Sequence, residues 1–286
     1  MTRLTKKVRI KLKDWIRPLY YLLRLNHNRY YWGTFFGISD ERTVKIYGCN
    51  LRLLLRYRHE LEYYLRAKRG MLICLDEIVA KNFVKQGDIC LDVGANIGLT
   101  ALLYVYSGAS KVVAIEANPK MFDRLKEVAS DSNSIEAWDL AASDCEGEIT
   151  LFQSTAHNQG STIDRDTISL FRHIFGSHPN SIVVKSNKLD KITQEDINFI
   201  KIDIEGAEVL ALEGAKELLR KSSLRAVHIE SYGNKISQVF DILIPIFSTV
   251  EQVVVSENGF DAKLVNYGSV VPKGYETTGN FVFSRS

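Results

Sequence analysis

From Ile89 onward the chain alternates short apolar runs with stretches of helical periodicity, and this alternation limits its fold more than any other feature. The runs are Ile89–Val93, Val112–Glu116, Ile135–Leu140, Phe199–Asp203, Leu224–Glu230, Val250–Val255 and Asn280–Ser284, with helical segments at about 97–107, 119–130 and 206–221. Strands separated by helices of that length build βαβ units, which predicts an α/β fold with a doubly wound, mostly parallel sheet. No convincing helix lies between the last two runs, so an antiparallel pair is expected at a sheet edge. Gln153 to Ser181 reads as one long irregular loop, a length that in a compact domain points to function or to disorder. Upstream, Thr43–Tyr47 and Leu51–Tyr57 read as a hairpin around a turn at Gly48, Cys49 and Asn50, and 73–86 reads as a helix. The chain therefore divides into an extension, 1–70, and a main domain, 71–286.

Charge is unevenly distributed. The total of +3 is too balanced for a nucleic-acid reader, but residues 1–24 hold eight basic residues against the single acid Asp14, a net +7, which leaves the remainder at −4. In that arm Leu12, Ile16, Leu19 and Leu23 form one helical stripe, flanked by Trp15 and Tyr20 and interrupted by Pro18. Two readings follow: an interfacial helix drawn to anionic membrane lipid, or a helix that packs on the body or on a second copy of the chain. No run reaches the ~18 apolar residues of a membrane span. Charges at Asp14 and Arg17 break up any signal-peptide centre. Cys49, Cys74, Cys90 and Cys145 are isolated and read as reduced packing thiols, so a cytoplasmic protein is expected, peripheral to the membrane if the arm binds lipid.

Leu91-Asp92-Val93-Gly94-Ala95-Asn96-Ile97-Gly98 follows a strand and opens a helix, the position of a ligand loop at a helix N-terminus. Asn96 replaces the middle glycine of a dinucleotide fingerprint, and the Lys-Ser/Thr of a phosphate loop is missing. Asp92 would repel a pyrophosphate but suits a ligand bearing an ammonium group, such as S-adenosylmethionine. Glu116, 22 residues beyond Gly94 at the next strand end, is placed to accept from ribose hydroxyls; its other reading is a helix cap before Pro119. Phe199-Ile200-Lys201-Ile202-Asp203-Ile204-Glu205-Gly206 brings Asp203 and Glu205 to the same sheet edge, as site acids or as helix caps. In Val227-His228-Ile229-Glu230, His228 and Glu230 share one strand face. No grouping has metal-ligand spacing that demands a metal.

The loop at 91–98, Glu116-Ala117-Asn118-Pro119, Ala141-Ala142-Ser143-Asp144 with Gly147, Leu189-Asp190 and Lys201–Glu208 together resemble the FkbM family of S-adenosylmethionine-dependent methyltransferases, across roughly 75–284. The resemblance implies a Rossmann-like seven-stranded sheet with an antiparallel last strand, and methyl transfer to a hydroxyl on a sugar, glycan or natural product. It also implies that Asp92, Gly94, Asn96 and Gly98 surround the methionyl part of the cofactor, that Glu116 holds the ribose, that the Ala141–Ser143 stretch passes near adenine and that Asp203 faces the methyl group and acceptor, with Ala95, Ala117 and Ala142 also among the cofactor-binding residues. A hydroxyl acceptor needs a base as its proton leaves, and Asp203 or Glu205, with His228 and Glu230 as alternates, are the candidates. The loop histidines His157, His173 and His178 are weaker ones. The 153–181 loop, with Asn158, Ser161 and Arg172, is expected to cover the acceptor. Two rival readings are a non-catalytic cofactor-binding or membrane-docked protein and, disfavoured by Asn96 and Asp92, an oxidoreductase.

Overall fold

The computed structural model describes residues 41–55, 57–68, 74–154, 160–176, 179–255, 261–267 and 278–285. The basic arm, His157, Asn158, His178 and the side chain of His173 lie outside the described residues. Two compact units divide the chain, residues 1–45 with 50–72, and residues 46–49 with 73–286. Among the described residues no helix is long and apolar enough to cross a membrane.

The first unit carries most of a two-stranded sheet, β1 (Glu41–Ile46) and β2 (Cys49–Leu54), and helix α1 (Arg58–Ala67). Tyr47 and Gly48 make the turn with φ of 49° and 88°, the two positive values that a two-residue hairpin turn requires. The turn thus lies one residue earlier than the sequence indicated. Glu60 of α1 is fully buried and accepts from Leu54 N–H at 2.6 Å, which ties the helix to the end of β2.

The second unit runs α2 (Cys74–Phe83), β3 (Ile89–Val93), α3 (Leu99–Tyr106), β4 (Lys111–Glu116), α4 (Pro119–Ser130), β5 (Ile135–Asp139), β6 (Ala141–Ala142), β7 (Gly147–Gln153), β8 (Ser161–Thr162), α5 (Arg165–Leu170), α6 (Arg172–Phe175), β9 (Asn180–Asn187), α7 (Leu189–Ile192), β10 (Phe199–Ile202), α8 (Glu208–Glu213), β11 (Ala226–Tyr232), α9 (Lys235–Leu243), β12 (Thr249–Val255), β13 (Ala262–Asn266) and β14 (Thr278–Ser284). Its main sheet has the order β13-β12-β14-β11-β10-β3-β4-β5; a smaller sheet has the order β6-β9-β7-β8. The α/β class and the mostly parallel sheet are as expected.

Three details differ from the expectation. The main sheet has eight strands rather than seven, because β13 adds an antiparallel edge beyond β12. The final strand β14 is antiparallel as expected but lies inside the sheet, between β11 and β12. Its Phe281 and Phe283, 2% and 0% exposed, pack edge-to-face on Phe240 of α9, and that burial keeps β14 away from the rim. The 153–181 stretch holds β8, α5, α6 and the start of β9 rather than an irregular loop. The helix read at 206–221 stops at Glu213, where the Asp190 carboxylate accepts from Glu217 and Leu218 N–H at 3.1 and 2.8 Å and a short 3-10 turn, Leu218–Arg220, takes over.

Strand alternation sorts the two faces of the sheet. Leu91, Val93, Ile200, Ile202, Val227 and Ile229 meet α8 and α9 in the apolar core. On the opposite face the parallel register puts Asp92 of β3, Lys201 of β10 and His228 of β11 in one row. Strands β4 and β5 wind away from β3 on one side, and β10 and β11 lie on the other. The β3/β10 boundary is therefore the switch point of the sheet, the place where open α/β sheets bind ligands.

Candidate active site

At the switch point β3 ends in a loop that β4 holds. Gly94 and Ala95 N–H both donate to the Ile115 carbonyl at 2.9 Å, and Gly98 N–H closes back on Ala95 at 2.8 Å. Gly94 has φ of 86°, and a Cβ there would lie 1.9 Å from the Asp203 carbonyl oxygen. A Cβ at Gly98, φ 85°, would lie 3.0 Å from Leu125 and 3.2 Å from Val128. The space these two glycines leave is thus filled by protein, and both serve the close approach of chain segments. Asn96 also takes a left-handed conformation, φ 52°, and its Oδ1 is buried without a partner.

Glu116 joins this loop to the next. Its Oε2 accepts from Asn96 N–H at 2.8 Å and its Oε1 from Asn118 N–H at 2.7 Å. Glu116 is not the helix cap; Asn118 is, accepting from Lys120 N–H at 3.1 Å with Pro119 at the first helical position. Burial pushes the Glu116 carboxyl up to about 7, against the lowering effect of the N–H groups it holds. Ala95, in the loop after β3, is buried and Ala117, in the turn after β4, is half-buried, whereas Ala142 belongs to the apolar core with Leu140 and Leu189.

Across the boundary, β10 ends level with β3, and Asp203 N–H donates to the Val93 carbonyl at 3.0 Å, which ties the chain leaving β10 to the end of β3. Lys201 Nζ lies 2.9 Å from Asp203 Oδ2; the lysine side chain is 7% exposed and the aspartate side chain 35%. Burial alone would lower the Lys201 pKa, but Asp203, Asp76 and Asp92 outweigh it and hold the ammonium above its ordinary range. Glu205, left-handed at φ 54°, has a carboxyl pushed up to about 8, first by burial and then by Asp203 and Glu230. Burial and Asp203 push Glu230 up as well.

Neither Asp203 nor Glu205 caps α8. Glu208 does the equivalent work from inside, accepting from Gly206 and Ile204 N–H at 2.8 and 3.3 Å. His228 lies one row deeper than Glu230 and is fully buried; its Nε2 shares a hydrogen bond with Asn280 Oδ1 at 3.1 Å. Burial and then the Lys201 charge depress its pKa to about 3, so this imidazole is neutral and removed from the open edge. The structure thus brings Asp203, Glu205 and Glu230 together and leaves His228 beneath them.

The sequence reading gave no role to four residues here. Lys201 sits among apolar strand residues two positions from Asp203, a spacing that puts both on one face. Asp76 of α2 and Tyr104 of α3 reach the same region from helices, and no local pattern announces them. Glu208 is visible only once the turn at Gly206 is known.

Part of the 153–181 stretch docks at this edge. Asp164 caps α5 through Thr167 N–H at 3.0 Å and pairs with Lys235 at 3.1 Å, while the Tyr232 hydroxyl meets Thr167 Oγ1 at 3.4 Å and Phe171 packs edge-to-face on the Tyr232 ring. Ser161 is engaged with Asn118, and Arg172 is exposed. Gly206, φ 96°, lets α5 in: a Cβ there would lie 2.0 Å from Thr167 Oγ1. Gly206→Ala should therefore loosen α5 at a cost of about 2 kcal/mol, from left-handed strain together with displacement of the buried Thr167 hydroxyl that Asp164 and Tyr232 hold. Hydrogen exchange should show faster opening of 165–175; unchanged protection would refute the docking role.

The thiols correct one expectation. Cys90 is buried, but Cys49 is only half-buried and Cys145 is exposed, so these two do not serve as core packing. Among the described residues no group of three or more His, Cys, Asp or Glu could hold a metal ion.

The solved structures similar to this chain include a methyltransferase FkbM from Methylobacillus flagellatus, 19% identical with a TM-score of 0.42, where the match covers 63% of this chain and 44% of that one. They also include a precorrin-6y C5,15-methyltransferase from Geobacter metallireducens, 10% identical, TM-score 0.39, covering 73% and 87%. A third is a dimethyladenosine transferase from Plasmodium falciparum, 12% identical, TM-score 0.41, covering 74% and 61%. This chain thus spans less than half the length of the first of these. No curated protein matches it. The model of the methyltransferase FkbM domain matches residues 92–262, from the Asp92 of the β3 loop to the edge strand β13 and over more than half of the chain, so the chain belongs to the FkbM methyltransferase family.

Proposed function

We propose that the chain moves the methyl group of S-adenosylmethionine to a hydroxyl oxygen of an acceptor, a sugar of a glycan or a natural product. One observation carries this reading: the ligand loop at the switch point is lined with acceptors that lack donors. Both Asp92 oxygens and Asn96 Oδ1 are buried without hydrogen-bond partners, and Glu116 stands beside them at the end of β4. Such a set suits a ligand that brings an ammonium group and ribose hydroxyls, and it disfavours a pyrophosphate. The residues present therefore fit this cofactor, with Asp92 and Asn96 toward the methionyl end and Glu116 toward the ribose.

When bound, the cofactor supplies an electrophilic methyl group on a sulfonium. The protein's part is to orient the acceptor and take its proton. Lys201 fixes Asp203 Oδ2, which leaves the other oxygen of this half-exposed carboxylate to receive the proton from the acceptor hydroxyl. Glu205, with its carboxyl near 8, keeps its own proton at neutral pH and serves as a hydrogen-bond donor to the acceptor rather than as the base. His228 is kept from the role by its depth. The net +7 of residues 1–24 supports a peripheral attachment to anionic lipid, where lipid-linked sugars are assembled.

Calorimetry on the full chain should show binding of S-adenosylmethionine and none of NAD. In a screen of glycan and lipid-linked sugar acceptors, Asp203→Asn should lower turnover by about 10²–10⁴-fold while cofactor affinity stays within a few-fold, and Glu205→Gln should cost less. Full activity of Asp203→Asn would remove it as the base, and preferential binding of NAD would overturn the reading itself.

A further inference from the structure

Asp76 has no part in the reaction described above, yet it is 8% exposed and its Oδ1 is buried without a partner. Its charge acts on Asp92, which is itself fully buried with neither oxygen in a hydrogen bond of ordinary length, and whose pKa the Ala101 N–H of α3 lowers. The Tyr104 hydroxyl, from α3, is buried beside these two acids and also lacks a partner. Three elements, α2, β3 and α3, thus each bury an unsatisfied polar atom within electrostatic reach of the others. The cation that faces them, Lys201, is committed to Asp203 at 2.9 Å.

Buried carboxylates without donors persist either as neutral acids or beside a cation. Burial pushes Asp92 up to about 7 and Asp76 up to about 6; Lys201 lowers both, Asp203 raises both, and Glu77 further raises Asp76. Cys90 on the same strand, Tyr104 on α3, Glu116 on β4 and Glu230 on β11 are the other titratable groups that feel the pair.

We propose that Asp76 and Asp92 form a proton–cation exchange site, which holds protons in the free protein and gives them up to solvent when the ammonium group of the cofactor's methionyl end arrives. This rests on the cofactor reading above and makes α2 part of the cofactor site. The sign follows from the direction of the shifts. Both folded values lie above the ordinary carboxyl range of about 4, so near pH 6 the free pair retains protons that an ionised pair would not. A cation favours the ionised pair, so binding releases protons, and affinity should climb from about pH 5 and level off above about pH 7.

The test is calorimetry of the full chain at pH 6 in two buffers of different ionisation enthalpy, with two probes. S-adenosylhomocysteine carries the ammonium but no sulfonium; 5′-methylthioadenosine keeps the adenosine, including the ribose that faces Glu116, and lacks the ammonium. The first should release about one proton more than the second, and Asp76→Asn should cut that excess to about half while leaving methylthioadenosine affinity within a few-fold. Equal proton release by the two bound probes, or an undiminished excess in Asp76→Asn, overturns the exchange site and leaves the cofactor reading intact. Should Asp76→Asn fail to fold, the wild-type contrast between the probes still decides. Failure of both probes to bind overturns the cofactor reading and this one with it.

Discussion

Gly94→Ala should break the junction between β3 and β10 and abolish cofactor binding. At φ 86° an L side chain is strained, at about 1–2 kcal/mol, and its Cβ would stand 1.9 Å from the Asp203 carbonyl oxygen. That oxygen belongs to backbone held by the Asp203 N–H to Val93 carbonyl bond at 3.0 Å, so it cannot move aside without loosening the β3/β10 pairing. Overpacking of this kind adds about 1–3 kcal/mol, which brings the total to roughly 2–5 kcal/mol. Against the 5–15 kcal/mol typical of a domain, such a loss is severe. Urea unfolding should show a large drop in midpoint, and calorimetry no binding of S-adenosylhomocysteine. An unchanged midpoint would mean that the approach of Gly94 to β10 is not required.

Glu116→Ala should leave the fold standing but disable the ligand loop. One carboxylate holds Asn96 N–H at 2.8 Å and Asn118 N–H at 2.7 Å, so its removal leaves two buried donors without acceptors. Each costs about 1–3 kcal/mol unless water replaces the lost oxygen. Both the cradle and the proposed ribose contact then fail together, and cofactor affinity should fall by about 100-fold or more. Glu116→Gln should fall between, since its amide offers an acceptor to one N–H and a competing donor to the other. A Glu116→Ala protein that binds S-adenosylhomocysteine like the wild type would show that the carboxylate serves the loops alone.

These two positions also show what kind of information was legible. Gly94 after β3 and Glu116 at the end of β4 are readable because local spacing has local causes: a strand must end, the chain must turn, and a helix must begin within a few residues. The strand runs were legible for the same reason, since a side chain's face is set by its parity along the strand. Strand β13 was not, because Ala262–Asn266 is a half-exposed edge whose stability comes from pairing with β12 rather than from an apolar face of its own. The smaller sheet escaped likewise: β6 and β8 are two residues each and exist only through their partners.

The acids at the sheet edge divide along the same line. Asp203, Glu205, His228 and Glu230 could be placed near one edge from sequence, but their roles could not be separated there, because each looks the same in isolation. The fold separates them by depth and by neighbour. Strand parity puts His228 one row below Glu230, and Lys201 pairs with Asp203, while burial and the Asp203 charge raise Glu205 and Glu230 against a lesser lowering by Lys201.

By itself, then, the sequence determined the α/β alternation, the position of the ligand loop and the chemistry of its acids, all of which depend on residues within a turn or a strand of one another. Only the tertiary structure decided which acid stays half-exposed, which ones burial pushes up, and that Asp76 and Tyr104 lie buried near them. Those properties come from desolvation and from charges brought together across 76–230 of the chain, and such proximity exists only once the sheet and its helices have closed around it.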